Sequence, residues 1–284
     1  MLFVERKGFL RGVESAANLL GFLGMLPSCS SHPPDAPVLQ VRQVRLRRGV
    51  TQVFDGLDLT LAEPRIGLIG HNGAGKTSLL RLLCALEVPD DGQVLSHGQD
   101  LQALPQGQLR AQRVGMMFQN PDDQIIFPTV EEELALGLQP QGLSRRDALA
   151  RARAFLAERG LADWAARAVG ALSQGQRQHV CWLALLLAGP RTLLLDEPFA
   201  SLDLPGQARL ADDIAACGRQ VVVSTHVLEH VRDYPRVVWL HEGRLQADGR
   251  GHDVCAAYEA AVAQQVARAR AAAGMPHAHM RAAA

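Results

Sequence analysis

The run Gly70-His71-Asn72-Gly73-Ala74-Gly75-Lys76-Thr77 fits the pattern G-x-x-x-x-G-K-[ST]. Glycines let backbone N–H groups turn inward and approach a phosphate without Cβ clashes. A lysine at this spacing reaches β- and γ-phosphates, and a hydroxyl such as that of Thr77 can ligate Mg²⁺. A second reactive pair, Asp196 and Glu197, follows the apolar run 192–195. Ligands of α/β sheets bind beyond the carboxyl ends of strands, so acids at that position are placed to act. Asp196 is the candidate for the Mg²⁺ shell. Glu197 is the candidate to orient or deprotonate an attacking water.

The charge composition sharpens the role of Lys76. Of the 29 basic residues only Lys7 and Lys76 are lysines; the other 27 are arginines. A surface position would drift with that bias. A compact ammonium that must fit inside a phosphate loop cannot easily become a planar guanidinium.

The elements around these residues can be read from periodicity. Leu57, Leu59 and Leu61 alternate with Asp58 and Thr60, which is the period of a strand. Residues 66–69 form a short apolar strand entering the glycine-rich turn, and a helix is expected over about 76–86. Residues 114–118 read as another strand. The segment 120–189 is mostly helical, with apolar residues such as Ala148, Ala152, Phe155 and Leu156 at three- and four-residue spacing. The runs 192–195 and 221–223 show no alternation and suit buried parallel strands. Residues 237–240, Glu242-Gly243 and 245 onward read as a terminal hairpin. Strands alternating with helices around a glycine-rich turn indicate an α/β fold with a largely parallel core, and the helical block suggests an inserted subdomain.

Composition excludes other classes. With 48% apolar and 20% charged residues in 284, whole-chain disorder is excluded. Basic and acidic residues balance at 29 each, so there is no bulk attraction to nucleic acid or anionic lipid. The five cysteines are far apart and form no CxxC pair, which argues against a disulfide framework or zinc site and for a reducing cytosol. No window of 18 apolar residues exists, so the chain is not expected to span a bilayer by itself. Near the start, Arg6, Lys7 and Arg11 precede the apolar run 19–26, loosely imitating a secretory signal. Glycines interrupt that run, and residues 1–37 are expected to be a disordered extension.

A phosphate loop and strand acids fit many ATPases; the next motif selects among them. Leu172-Ser173-Gln174-Gly175-Gln176, with Ser173 lying 23 residues before Asp196, resembles the LSGGQ signature of ABC (ATP-binding cassette) ATPases. Gln174 stands in place of the first glycine. Gln119 matches the family's Q-loop, Ser201-Leu202-Asp203 its D-loop, and His226, 30 residues after Asp196, its H-switch. This resemblance implies a P-loop cassette over about 38–255. Such a cassette has a mainly parallel core sheet, an N-terminal antiparallel β part and a helical subdomain at about 120–189, leaving an alanine-rich tail at 256–284. It implies ATP and Mg²⁺ as cofactors, with nucleotide contacts from Gly70, Asn72, Gly73, Ala74, Gly75, Lys76, Thr77 and Ser78. It implies a head-to-tail dimer with a second cassette, identical or related. There Ser173, Gln174, Gly175 and Gln176 face the nucleotide of the opposite subunit and Asp203 shapes the interface. Gln119 would touch Mg²⁺ and water, and His226 the γ-phosphate. Ser173 can also cap a helix leading into 180–187, a stretch apolar all round and so buried.

One departure concerns the base. The family usually places an aromatic on the adenine about 20 to 30 residues before the phosphate loop. The corresponding stretch here is Leu46-Arg47-Arg48-Gly49, and Phe54 is the only aromatic between Val38 and Gly70. A guanidinium face of Arg47 or Arg48 is the expected substitute.

The segment after Gln119, from Asn120 through Asp122, Asp123, Gln124 and Ile126 to Glu131-Glu132-Glu133, resembles the energy-coupling factor importers. The resemblance implies a short helix beside a groove for the membrane T component, with Asp122, Asp123 and Gln124 facing the partner. Acidic residues here could pair with its arginines. Within that group the chain most resembles the ATPases of biotin importers, with cobalt or nickel importers the close alternative. Substrate choice lies in a separate membrane S component. The expected place is the cytoplasmic face of the inner membrane, as a peripheral subunit. A soluble ABC protein acting on ribosomes or DNA is disfavoured, since this chain has one cassette, no long coiled-coil insertion and no net positive charge.

Overall fold

The structure, a computed structural model, describes residues 39–104 and 108–272. The expected extension at 1–37 and the end of the alanine-rich tail lie outside the described residues.

Two sheets form the frame. In the first, β1 (Leu39–Arg48) pairs antiparallel with β2 (Thr51–Leu61) and β4 (Asp91–Ser96), and β4 with the short β5 (Gln99–Asp100). The register Leu39↔Leu61 and Val41↔Leu59 puts the alternating leucines of β2 on the buried face. The second sheet has the order β10-β9-β3-β8-β7-β6. It comprises β3 (Arg65–Ile69), β6 (Val114–Met117), β7 (Thr192–Asp196), β8 (Gln220–Ser224), β9 (Arg236–His241) and β10 (Arg244–Gly249). All its pairings are parallel except β9 with β10. The middles of its central strands β7 and β8 are apolar without alternation because both faces are covered.

One core lies between the first sheet, α1 (Lys76–Leu83) and one face of the second sheet, with Leu39, Phe54, Leu79, Leu83, Leu68 and Val222 among its members. The expected helix end at 86 falls short, because Ala85 turns left-handed at φ 58° and the chain leaves the axis. A short α2 (Gln108–Arg113) precedes β6. A second core covers the other sheet face with α5 (Gln174–Ala188), α6 (Leu204–Ala216) and the start of α7 (Gly251–Ala272). A third joins α3 (Val130–Leu136), α4 (Arg145–Glu158) and α5, using the expected Ala148, Ala152, Phe155 and Leu156. Helix α5 serves two cores, Cys181 and Trp182 in one and Val180 and Leu183 in the other. That double duty is why its middle is apolar all round.

The expected hairpin is β9–β10, turning at Glu242 and Gly243 with φ 48° and 72°. Helix α7 starts at Gly251, so the division expected after 255 falls inside one helix whose Val254 and Cys255 are buried. Among the described residues no helix is long and apolar enough to cross a membrane.

Candidate active site

The phosphate loop joins β3 to α1. Gly75 sits at the helix N-cap with φ 102°, and a Cβ there would meet the Phe54 ring at 2.9 Å. Gly70 has φ 146°, and a Cβ would overlap the Leu240 carbonyl. Only glycine satisfies both conditions. The turn of the β9–β10 hairpin braces the loop, Gly243 N donating to Ala74 O at 3.1 Å. Phe54, buried to 1% exposure, is thus the floor of the loop and does not face a base.

Lys76 folds back over this loop, its Nζ donating to the carbonyls of Gly70 at 2.7 Å and His71 at 3.2 Å. Burial pushes its pKa down, and the nearby carboxylates of Glu197 and Asp196 work against that shift. The ammonium is therefore held close to two acids at the end of β7.

Three parallel strands deliver the rest of the site from their carboxyl ends, where ligands of such sheets bind. Asp196 ends β7 and accepts from the Thr77 hydroxyl at 2.7 Å. Glu197 follows with φ 48°, a conformation sparsely populated for a residue with a side chain. Its N–H donates to Ser224 O on β8 at 2.9 Å, which anchors the turn. Its Oε2 lies 2.8 Å from Nδ1 of His226, just past β8. Gln119 follows β6. Asp196 and Glu197 are buried at 3% and 8% exposure, whereas His226 and Gln119 are more open.

Residues 70–78, Gln119, Asp196, Glu197 and His226 line one cavity of about 650 Å³. That volume suits a nucleotide-sized ligand. An anion cradle with a lysine, a hydroxyl–carboxylate pair and a carboxylate bonded to histidine can together hold a triphosphate and activate water. The oxygen donors Thr77, Asp196 and Gln119 form a hard set, which fits Mg²⁺.

Ser173, Gly175, Gln176 and Asp203 lie elsewhere, around a separate cleft of about 530 Å³. Ser173 caps α5 by accepting from Gln176 N at 3.2 Å, and Gln176 Oε1 accepts from Ser173 N at 2.9 Å. Gly175 packs so close to the 201 turn that a Cβ would stand 3.2 Å from Ser201 O. Gln174 is exposed. Asp203 caps α6, its Oδ1 accepting from Gly206 N at 2.9 Å.

The segment expected to face a membrane partner uses most of its polar groups internally. Asp122 lies 3.0 Å from the Arg177 guanidinium on α5. Gln124 accepts from Phe118 N at 3.0 Å. Glu133 is buried and accepts from Ile126 N and Phe127 N, both at 2.9 Å. Glu132 pairs with Arg145 at 3.1 Å. A hydrogen bond from Arg153 pulls the Glu131 carboxyl below its usual range, its nearest contact 2.5 Å. Asp123 is exposed with no side-chain partner among the described residues, beside Ile126 at 74% exposure.

The structure also adds residues. Arg48, tied to Glu87 by contacts of 2.6 and 2.9 Å, lines the nucleotide-sized cavity, whereas Arg47 does not. Val53, His71 and Tyr258 line it as well. Tyr258 reaches it from α7, its ring centroid 5.4 Å from that of His71. No local pattern marks Tyr258, because its role depends on α7 crossing β9.

Comparison with known proteins agrees with this geometry. Residues 54–200 match the family model described as ABC transporter. The chain is 46% identical over 231 residues to the biotin transport ATP-binding protein BioM of Rhodobacter capsulatus, covering 81% of this chain and 97% of that protein. It is 37% identical to the energy-coupling factor transporter ATP-binding protein EcfA1 of Symbiobacterium thermophilum, covering 73% and 74%. Its fold matches cbiO1 from Clostridium perfringens, part of the ABC transporter complex cbiONQ, with TM-score 0.67, 24% identity and coverage of 80% and 93%. A dimeric post-hydrolysis state of the cassette MJ0796, bound to ADP and Pi, shares the fold at TM-score 0.64 and 23% identity, covering 75% and 98%. A cavity built from strand ends around a phosphate loop, and relatives aligned along most of the chain, lead to one conclusion: the chain belongs to the ABC transporter family, as one of its ATPases.

Proposed function

We propose that this ATPase drives an energy-coupling factor importer for biotin. It works as a head-to-tail dimer, identical or mixed, on a membrane T component and a substrate-binding S component at the cytoplasmic face of the inner membrane. The observation that carries this reading is the 46% identity extending over 97% of a biotin transport ATP-binding protein. The uncommitted Asp123 and exposed Ile126 form the docking surface toward the T component.

In this reading residues 70–78 wrap the β- and γ-phosphates, and Lys76 leaves its carbonyl partners to meet them. Thr77, Asp196 and Gln119 would hold Mg²⁺, which would supply positive charge to neutralise the phosphates. Glu197 takes a proton from the water that attacks the γ-phosphorus as the bond to ADP breaks. His226 holds Glu197 through the 2.8 Å contact and faces the γ-phosphate. Ser173 and the N–H of Gly175, with Gln174 and Gln176 beside them, meet the γ-phosphate held by the other subunit. Asp203 stands at that interface.

The test is affinity purification of the full chain from native membranes, with identification of the co-purifying S component. Deletion of the gene, paired with uptake of labelled biotin, cobalt and nickel, completes it. Loss of biotin uptake is expected. Loss of metal-ion uptake with biotin uptake intact would replace biotin with the metal-ion reading. Co-purification with ribosomes in place of membrane subunits would reject both.

A further inference from the structure

Beside the Glu197–His226 pair lies a smaller cavity of about 240 Å³, shared by the turn after Glu197 and the segment after His226. Two polar side chains cross it. The His230 ring stacks on Phe199, centroids 3.9 Å apart and planes at 29°. Its Nε2 lies 3.3 Å from Oε1 of Gln207 on α6. The amide nitrogen of Gln207 donates to Leu202 O at 3.0 Å and reaches Phe199 O at 3.5 Å. Gln207 therefore grips the turn that carries Glu197 into the D-loop, and His230 grips Gln207 from the segment that carries His226.

The chemistry of the pair has one consistent assignment. The Gln207 oxygen facing His230 can only accept, so His230 Nε2 carries the proton. Nδ1 is then a lone-pair nitrogen, and it is buried with no partner among the described residues. Burial lowers the pKa of His230, nearby His226 lowers it further, and Glu229 opposes both. Burial and the unpartnered Nδ1 favour the neutral ring with Nε2 as donor. An apolar pair would fill this space without leaving a buried nitrogen unpaired, so a direction-specific link is what the polar choice adds.

We propose that His230 and Gln207 are positioning residues for hydrolysis. They set the separation between the Glu197 turn and the His226 segment, and so preserve the 2.8 Å Glu197–His226 contact, on which, in the function proposed above, water activation depends. Small displacements of a reacting group cost much of a rate, so the link acts on turnover and not on nucleotide affinity.

The experiment measures steady-state ATP hydrolysis and thermal unfolding of the full chain. His230→Leu lowers kcat about fivefold, the equivalent of one net hydrogen bond, and leaves KM for ATP within about twofold. His230→Gln places an amide N–H near the Nε2 position and recovers kcat to within about twofold of the parent. Gln207→Leu reproduces the loss, and the double leucine variant is no slower than either single one. Wild-type turnover in His230→Leu overturns the proposal. So does a His230→Gln chain as slow as His230→Leu, which would assign the effect to ring stacking. If His230→Leu fails to fold, Gln207→Leu decides between the outcomes by the same kcat and KM criteria.

Discussion

Both the phosphate loop and the signature turn open a helix, yet α1 begins with no side-chain cap and α5 begins with a complete capping box. The first N–H groups of any helix lack intrahelical partners. At α1 those donors remain for an anion, and Lys76 adds a charge beside them. At α5, Ser173 and Gln176 already satisfy each other across the first turn. The α1 end, ringed by strand-end carboxylates, has the parts of a full catalytic site. The α5 end is an internally satisfied turn with one close-packed glycine. The two motifs stand on separate cavities of one chain.

Glu197→Gln gives the largest effect on that contrast. It removes the carboxylate proposed to take the water's proton, and kcat is expected to fall about a thousandfold while ATP stays bound. Size-exclusion chromatography with ATP then reports a trapped dimer; lost binding would move Glu197 from chemistry to binding. Next is Gly175→Asp, which places a carboxylate at the α5 end. Hydrolysis drops about a hundredfold, with nucleotide binding by the isolated chain unchanged within about twofold. Mixing it with Lys76→Ala chains restores part of the activity if one α1 end works with the partner's α5 end. No recovery on mixing would mean that each chain uses its own two ends.

Stability separates the helix starts more gently. Gly75→Ala strains a backbone at φ 102° and pushes against Phe54, so it costs about 2 kcal/mol or more. Ser173→Ala loses one cap, about 1 kcal/mol. Denaturant midpoints rank the two, and a reversed order would deny the rigidity assigned to the loop. The smallest effect is at the base. Arg48→Ala raises KM for ATP about two- to threefold, and ATP-over-GTP selectivity stays modest in parent and variant. A strong adenine preference in the parent chain, measured by competition, would show that another group reads the base.

Much of the α1 site was legible in the chain because its requirements are local. A left-handed Gly75, a lysine one residue later and a hydroxyl after that can be recognised from spacing alone. The same holds for the acids that close the apolar run of β7 and for the Ser173–Gln176 box. The internal contacts of the coupling segment were not legible, for the opposite reason. Asp122, Asp123 and Gln124 read as facing a partner, yet no local pattern shows that Asp122 also pairs with Arg177, that Glu132 and Glu131 pair with Arg145 and Arg153, or that Glu133 takes the nearby N–H groups of Ile126 and Phe127. Arginine forks from other helices satisfy carboxylates without leaving a trace in the local pattern.

Residue type and spacing by themselves determined which groups are candidates to bind phosphate, which acids stand at a strand end, and that Ser173 caps a helix, since these follow from backbone reach and side-chain chemistry over a few residues. Only the tertiary structure decided the rest. It placed Phe54 beneath Gly75, brought Arg48 and Tyr258 to one cavity, set Glu197 against His226, and joined His230 to Gln207. Those contacts span long stretches of chain. Their geometry is set by the order of parallel strands and by helices packed on both faces of the sheet, which no local pattern encodes.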